Sequence, residues 1–135
     1  RVAADPAIAQ RIAQVASTGR IRRPLITVAG TMDALLPIQR GARAYEALVR
    51  HGDRDDRGRP AYRLYEVQNG NHIETFRKTF PQLELIQPHA QRAFDLLVDH
   101  VEHHASLPPS QCIPRGGAIT SGPAQPGHCA QLLAP

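Results

Sequence analysis

The stretch Pro24-Leu-Ile-Thr-Val-Ala-Gly-Thr-Met-Asp-Ala-Leu-Leu-Pro37 decides the fold, together with Gly70-Asn-His72 later in the chain. The first stretch contains a short β-branched run that ends in a turn. Gly70-Asn-His72 lies in the turn that follows a second such run. The first turn carries Asp33 and the second carries His72. Doubly wound α/β sheets present catalytic side chains in this way, at the carboxyl ends of parallel strands. The sequence therefore predicts a parallel sheet with Asp33 and His72 at one edge.

Hydrophobic periodicity predicts an alternation of helices and strands around these turns. The predicted elements are a helix over about 6–18 with Asp5 as N-cap, a strand over 25–29 buried on both faces, a helix from Pro37 to about Gly52, a strand over 62–67 near the sheet edge, and a helix from Pro88 to about Ala105. The polar stretch 53–60 is predicted to be an exposed loop. Strand, helix, strand, helix is the order of βαβ units, and it indicates an α/β fold.

The region from 107 onward is rich in Pro and Gly and is predicted to be an irregular tail. It contains both cysteines, Cys112 and Cys129. They fit one disulfide closing a surface loop, which implies an oxidising compartment, and two free thiols are the alternative. We therefore divide the chain into residues 1–106, a segment of an α/β domain, and residues 107–135, a tail tied by Cys112–Cys129. The predicted location is secreted or periplasmic.

The bulk composition excludes several classes of partner. The chain of 135 residues has a formal net charge of +4, but its basic residues are scattered among acidic ones and aromatic residues make up only 4%. Basic tracts interleaved with aromatics, which would favour nucleic-acid binding, are missing. No apolar run approaches the roughly 20 residues that a membrane-spanning helix needs. We expect neither nucleic acid nor membrane as a partner.

The histidines near the end of the last predicted helix invite a metal hypothesis. His100 and His104 lie one turn apart in Asp99-His-Val-Glu-His-His104, but the spacing matches no zinc-binding helix pattern. Histidines also suit the negative end of a helix dipole, and we favour this interpretation. The two cysteines with His128 fall short of a four-ligand zinc shell. We predict no metal site and no cofactor.

Asp33 and His72 are the candidate catalytic residues. A carboxylate can accept the Nδ1 hydrogen of a histidine, fix its tautomer and stabilise the imidazolium, while the other ring nitrogen takes a proton from a serine. The alternative is that Asp33 caps the helix beginning near Pro37 and that His72 is a polar loop residue. No serine of the chain lies in a Gly-x-Ser-x-Gly elbow. The nucleophile is therefore expected upstream of Arg1 or not at all.

These residues resemble the carboxyl-terminal part of the α/β-hydrolase superfamily, in particular its serine esterases. The resemblance covers about residues 5–105 and rests on the 23–37 stretch, on Gly70-Asn-His72 and on the helix from Pro88. It implies Asp33 as triad acid and His72 as triad base. The family's nucleophile elbow and oxyanion loop have no counterpart here. Because the chain opens on Arg1 and its only methionine is Met32, we expect a carboxyl-terminal piece of a longer protein.

The resemblance implies a carboxylic ester hydrolase whose isolated 135-residue piece is inactive. The substrate would be a small or oligomeric ester. Tannase and feruloyl-esterase relatives often carry a Cys beside the catalytic histidine. This chain has Ile73 there, which weighs against that narrower match, and a similarity to polyester or hydroxyalkanoate-oligomer hydrolases is the other option. Expected partners are the amino-terminal half of the same hydrolase domain and a second copy joined through an exposed sheet edge. The alternative function is a non-catalytic binding or structural module on a hydrolase scaffold.

Overall fold

The computed structural model describes residues 5–52, 60–122 and 125–135. In chain order its elements are α1 (Pro6–Val15), β1 (Leu25–Gly30), α2 (Ala42–Gly52), β2 (Tyr62–Val67), a 3₁₀ segment (Glu74–Lys78), α3 (Gln87–His103) and β3 (Gln111–Ile113). The three strands run parallel in the order β1-β2-β3. The described chain is therefore of the α/β class, as predicted. Except for Pro60, the predicted loop over 53–60 lies outside the described residues.

Strand β2 is the centre of the sheet, and the prediction that it lies near an edge is wrong. It pairs with β1 on one side and with β3 on the other, and its last four residues, Leu64 to Val67, are buried. Its side chains alternate between two faces, as the period of a strand requires. Tyr65 and Val67 form a core cluster with Ala93 of α3, while Glu66 meets Arg43 of α2. Helices α3 and α2 thus cover opposite faces of the sheet.

Strand β1 is an edge strand within the described residues. Its side chains are half-buried, so the expectation of full burial on both faces is not met. The reason is topological, because β1 pairs with β2 on one side only. Its apolar residues contribute to the core from that edge, where Ile26 and Val28 pack against the central cluster.

Two of the three predicted helices begin where the sequence places them. Asp5 caps α1 by accepting a hydrogen bond from the N–H of Ala7 at 2.9 Å, and Pro88 lies in the first turn of α3. Helix α2 begins at Ala42 instead of Pro37, because residues 38–41 first form hydrogen-bonded turns onto the carbonyl of Pro37.

Among the described residues, no helix is long and apolar enough to cross a membrane.

The region after residue 106 is more ordered than the predicted irregular tail. Gln111–Ile113 forms β3, and the buried side chain of Gln111 bonds the backbone of Pro109 and Thr120. The predicted disulfide is present and joins Cys112 in β3 to Cys129. It ties a later segment to the sheet, so it does more than close a surface loop.

A buried ion pair fastens this later segment to the sheet and to α2. Glu66 is fully buried and receives two hydrogen bonds from Arg43, at 2.8 and 2.7 Å. The same carboxylate accepts from the N–H of Cys129 at 2.8 Å, and Arg43 donates to the carbonyl of Cys129. Nearby, His128 lies 2.7 Å from the buried Glu46. Among the described residues, no buried side-chain nitrogen or oxygen lacks a hydrogen-bond partner, as is usual for buried polar groups.

We expect Arg43→Met to destabilise the fold by about 3–5 kcal/mol, because it leaves the Glu66 carboxylate buried without its cation. Urea unfolding followed by circular dichroism measures the change. Arg40→Met, at an exposed position in the preceding turn, is the matched control and should cost less than about 0.5 kcal/mol. Equal losses in the two variants would contradict this role for the ion pair.

Reduction of the disulfide should lower the free energy of unfolding by about 3 kcal/mol, since the bridge closes a loop with a sequence separation of 17. The measurement compares urea unfolding of the oxidised chain with that of a Cys112→Ser/Cys129→Ser variant. An unchanged midpoint would mean that the segment is held by its hydrogen bonds alone.

Candidate active site

The turns after β1 and β2 are hydrogen-bonded to each other through their backbones. The N–H of Thr31 donates to the carbonyl of Val67 at 3.0 Å, and the N–H of Met32 donates to the carbonyl of Gly70 at 2.8 Å. These two bonds lie beyond the last paired residues of the strands, Gly30 and Val67, and join the turns directly. They bring the next residues of both turns to the same edge of the sheet.

Two glycines make this approach possible. A Cβ on Gly30 would lie 2.3 Å from the carbonyl oxygen of Gly70, and a Cβ on Gly70 would lie 3.0 Å from the Cα of Gly30. Any side chain at Gly30 would push the turns apart, because no real Cβ contact is that short. These glycines, which predicted turns in the sequence, are therefore also needed for the close packing of the two turns against each other.

Asp33 and His72 meet at this edge. The Nδ1 atom of His72 lies 2.9 Å from Oδ2 of Asp33. Asp33 is the inner member of the pair, since its side chain is 11% exposed and that of His72 is 45% exposed. Between the turns, Asn71 accepts from the N–H of His72 at 2.8 Å and from that of Ala34 at 3.4 Å. The sequence thus predicted a pair that the fold places in contact.

The second carboxylate oxygen of Asp33 organises its own turn. Oδ1 accepts from the N–H groups of Leu35 and Leu36, at 2.9 and 2.8 Å. Asp33 therefore makes a local cap as well as the contact with His72, although the helix it was expected to cap begins only at Ala42. Burial acts to raise the pKa of Asp33, but the hydrogen bonds from Leu36, His72 and Leu35 outweigh it and lower the pKa below its ordinary value.

An ionised Asp33 fixes the tautomer of His72. A carboxylate only accepts hydrogen bonds, so the neutral imidazole must carry its hydrogen on Nδ1 and leave the Nε2 lone pair free. Nε2 can then take a proton from a group that approaches this partly exposed side chain. This is the arrangement of a general base held by an acid.

A cleft of about 480 Å³ opens beside the pair. Its lining is mostly apolar and combines β1, the turn after it and α2, with Val28, Leu36, Tyr45 and Ile86 among its walls. A larger cavity of about 630 Å³ lies near the start of the strands, where Pro24 and Tyr62 line it. That is the opposite end of the sheet from Asp33 and His72. We place the candidate site in the smaller cleft because the acid and base line it.

The other residues considered from the sequence lie elsewhere. His100 bonds the carbonyl of Ala105 through Nδ1 at 2.7 Å, and His104 ends α3 in the left-handed conformation. Ser110 accepts from the N–H of Leu64 near the start of β2. Across the described ranges, no group of three His, Cys, Asp or Glu residues is arranged to hold a metal ion.

Sequence reasoning treated Thr31 and Asn71 only as turn residues and missed Asn69, although the side chains of all three connect the two turns. All three are buried, and Asn69 adopts a positive φ of 64°. An Asn directly before a Gly was a signal for a left-handed turn residue. The hydrogen bonds of these side chains join segments far apart in the chain, so no local pattern could have revealed them.

The contribution of Asp33 to stability should disappear in acid. Its folded-state pKa lies below the ordinary value of 3.8, so the contribution is complete above that pH and is lost as the pH falls through the folded pKa. We therefore expect the difference in unfolding free energy between the wild type and Asp33→Asn to be constant at about pH 5–7 and to shrink below about pH 4. Urea unfolding across this range measures it, with Asp99→Asn as the exposed control. A difference that stays constant down to about pH 2 would contradict the lowered pKa.

Comparison with known proteins gives the family. The model of the family described as 3HB-oligomer hydrolase (3HBOH) matches residues 1–133. D-(-)-3-hydroxybutyrate oligomer hydrolases from Ralstonia nicotianae and Ralstonia pickettii are each 36% identical over 130 residues, which cover 90% of this chain and 17% or 18% of those proteins. One from Burkholderia thailandensis is 34% identical over 110 residues, 76% of this chain and 15% of that protein.

The chain spans less than a fifth of the length of these curated relatives. No solved structure matches it. The match to the family model nevertheless includes both turns with Asp33 and His72, all three strands and the disulfide. The chain therefore belongs to the 3HB-oligomer hydrolase family.

Proposed function

We propose that the chain is the carboxyl-terminal part of a serine hydrolase that cleaves the ester bonds of 3-hydroxybutyrate oligomers. The relatives named above are hydrolases of such oligomers. A hydroxy acid forms oligomers by joining the hydroxyl of one unit to the carboxyl of the next, so their hydrolysis is ester hydrolysis. In this proposal Asp33 and His72 are the acid and base of the catalytic triad.

The observation that carries the proposal is the 2.9 Å contact between Nδ1 of His72 and Oδ2 of Asp33. Because Nδ1 of His72 faces Asp33, the proposal assigns Nε2, the other ring nitrogen, to the serine. That nitrogen would take the serine proton during attack on the ester carbonyl and return it to the leaving alkoxide. Water would then release the acid from the acyl-enzyme by the same proton transfers.

The serine is proposed to come from the upstream part of the same hydrolase. Among the described serines, none is hydrogen-bonded to His72. Ser110 accepts a hydrogen bond from the N–H of Leu64 near the start of β2. Strand β1 leaves its outer edge unpaired within the described residues, beside the cleft at Asp33. A further strand of the same domain would continue the parallel sheet there and bring its own carboxyl end to the site. In isolation the same edge would favour pairing with a second copy.

A secreted or periplasmic location forms part of the proposal. The disulfide between Cys112 and Cys129 supports it, because such bonds persist in oxidising compartments. An apolar cleft beside the acid and base is also suited to the methyl-bearing chain of a hydroxybutyrate oligomer.

We expect His72→Ala in the full-length polypeptide to lower kcat for 3-hydroxybutyrate trimer by roughly 10³-fold or more, because the serine loses its general base. Chromatographic measurement of the released monomer provides the rate. His103→Gln is the matched control, since that side chain is 69% exposed and lies on α3. A kcat for His72→Ala within twofold of wild type would sink the catalytic role and favour the non-catalytic module.

A further inference from the structure

Residues 131–135 lie against the two turns of the candidate site. The carbonyl of Leu132 accepts a hydrogen bond from the hydroxyl of Thr31. The backbone of Ala134 pairs with the side chain of Asn69, donating through its N–H at 2.6 Å and accepting through its carbonyl at 2.7 Å. A segment more than 60 residues further along the chain thus contacts the residues that lead to Asp33 and His72.

Asn69 is built into this contact. Its side chain is completely buried, and besides Ala134 it donates to the carbonyl of Gln82 at 2.9 Å. Both amide hydrogens and the amide oxygen therefore have partners, which is what a buried amide requires. Without the 131–135 segment, Asn69 would lose two of these three bonds. The turn that holds His72 three residues later is consequently adapted to the presence of the segment.

Thr31 connects the segment to the other turn. Its hydroxyl accepts from the N–H of Asn69 at 2.9 Å while donating to Leu132. One hydroxyl thus joins the Asp33 turn, the His72 turn and the 131–135 segment. Thr31 lies two residues before Asp33, so a displacement of Thr31 moves the acid relative to the base.

The 131–135 segment is held close to the turns by the covalent structure before it. Cys129 is bonded to Cys112 of β3, and its N–H is bonded to the buried Glu66 of β2. Only two residues separate Cys129 from the Leu132 contact. This tether keeps the segment near its partners, so that little conformational entropy is lost when the hydrogen bonds form.

We propose that the 131–135 segment is a positioning clamp for the Asp33–His72 pair, acting through Thr31 and Asn69. The clamp fixes the distance between acid and base, and thereby the tautomer of His72. Its effect on the rate rests on the proposed function, whereas its effect on the geometry of His72 does not. Thr31 and Asn69 are positioning residues, because they contact the turns and not the reacting atoms.

The geometric test measures the tautomer of His72 in the 135-residue chain by ¹⁵N NMR through its ring C–H protons. Asn69→Gly removes the side chain but tolerates the positive φ, and Thr31→Val removes the hydroxyl with little change in shape. Deletion of residues 132–135 removes the segment's contacts and leaves the amino-acid sequence of both turns unchanged. We expect the wild type to hold the Nδ1–H tautomer and all three variants to shift toward Nε2–H. Thr31→Ser should restore the wild-type shifts, and Thr120→Val, at an exposed threonine, should not alter them.

The catalytic test measures kcat and KM of the full-length polypeptide with 3-hydroxybutyrate trimer. We expect Asn69→Gly and Thr31→Val to lower kcat about ten- to a hundredfold with KM within threefold of wild type, because a misplaced base slows chemistry more than binding. Thr31→Ser should recover most of the loss. A merely structural role would lower the melting temperature without this pattern in kcat and KM.

The outcomes separate the two proposals. If all three variants keep the wild-type ¹⁵N shifts at a temperature below their melting points, the clamp is overturned, whatever their stability. If His72→Ala retains full activity while the variants shift the tautomer, the proposed function fails and the clamp stands as a geometric device. Shifted tautomers together with a lowered kcat support both.

Discussion

Between the two turns the backbone approaches so closely that no side chain fits. A Cβ on Gly30 would fall 2.3 Å from the carbonyl oxygen of Gly70. The hydrogen bonds from Thr31 to Val67 and from Met32 to Gly70 depend on this approach. They join the turn after β1 to the end of β2 and to the turn that follows it. The contact between Asp33 and His72 follows from these bonds, because each side chain belongs to a turn that is hydrogen-bonded to the other turn.

The sheet supplies the rigid base for these turns. Strand β2 is central and carries the fully buried Glu66, a residue that a core strand rarely accommodates. The fold resolves this with Arg43 of α2 and the N–H of Cys129. Because these partners come from α2 and from the later segment, the buried carboxylate attaches both of them to β2.

The region after residue 106 therefore belongs to the same structural unit as the turns. It contributes β3 to the sheet, the disulfide between Cys112 and Cys129, and the backbone groups that bond Thr31 and Asn69. These attachments follow one another along the chain and run from the sheet edge toward the candidate site. A proposed acid and base on one pair of turns are in this way supported by a segment from the other end of the sequence.

The sequence by itself determined the α/β class, the positions of β1, β2 and α3, and the two turns with Asp33 and His72. These follow from local signals: β-branched runs, Gly-containing turns, and Pro or Asp at helix starts. Tertiary structure alone decided that β2 is central and that Gln111–Ile113 is a strand, because three residues have no periodicity and pair only when β2 is beside them. It also decided the roles of Thr31 and Asn69, whose partners Leu132 and Ala134 lie more than 60 residues further along the chain. A hydrogen bond between distant segments produces no residue pattern in either segment, whereas a turn or a helix cap depends on the types of adjacent residues.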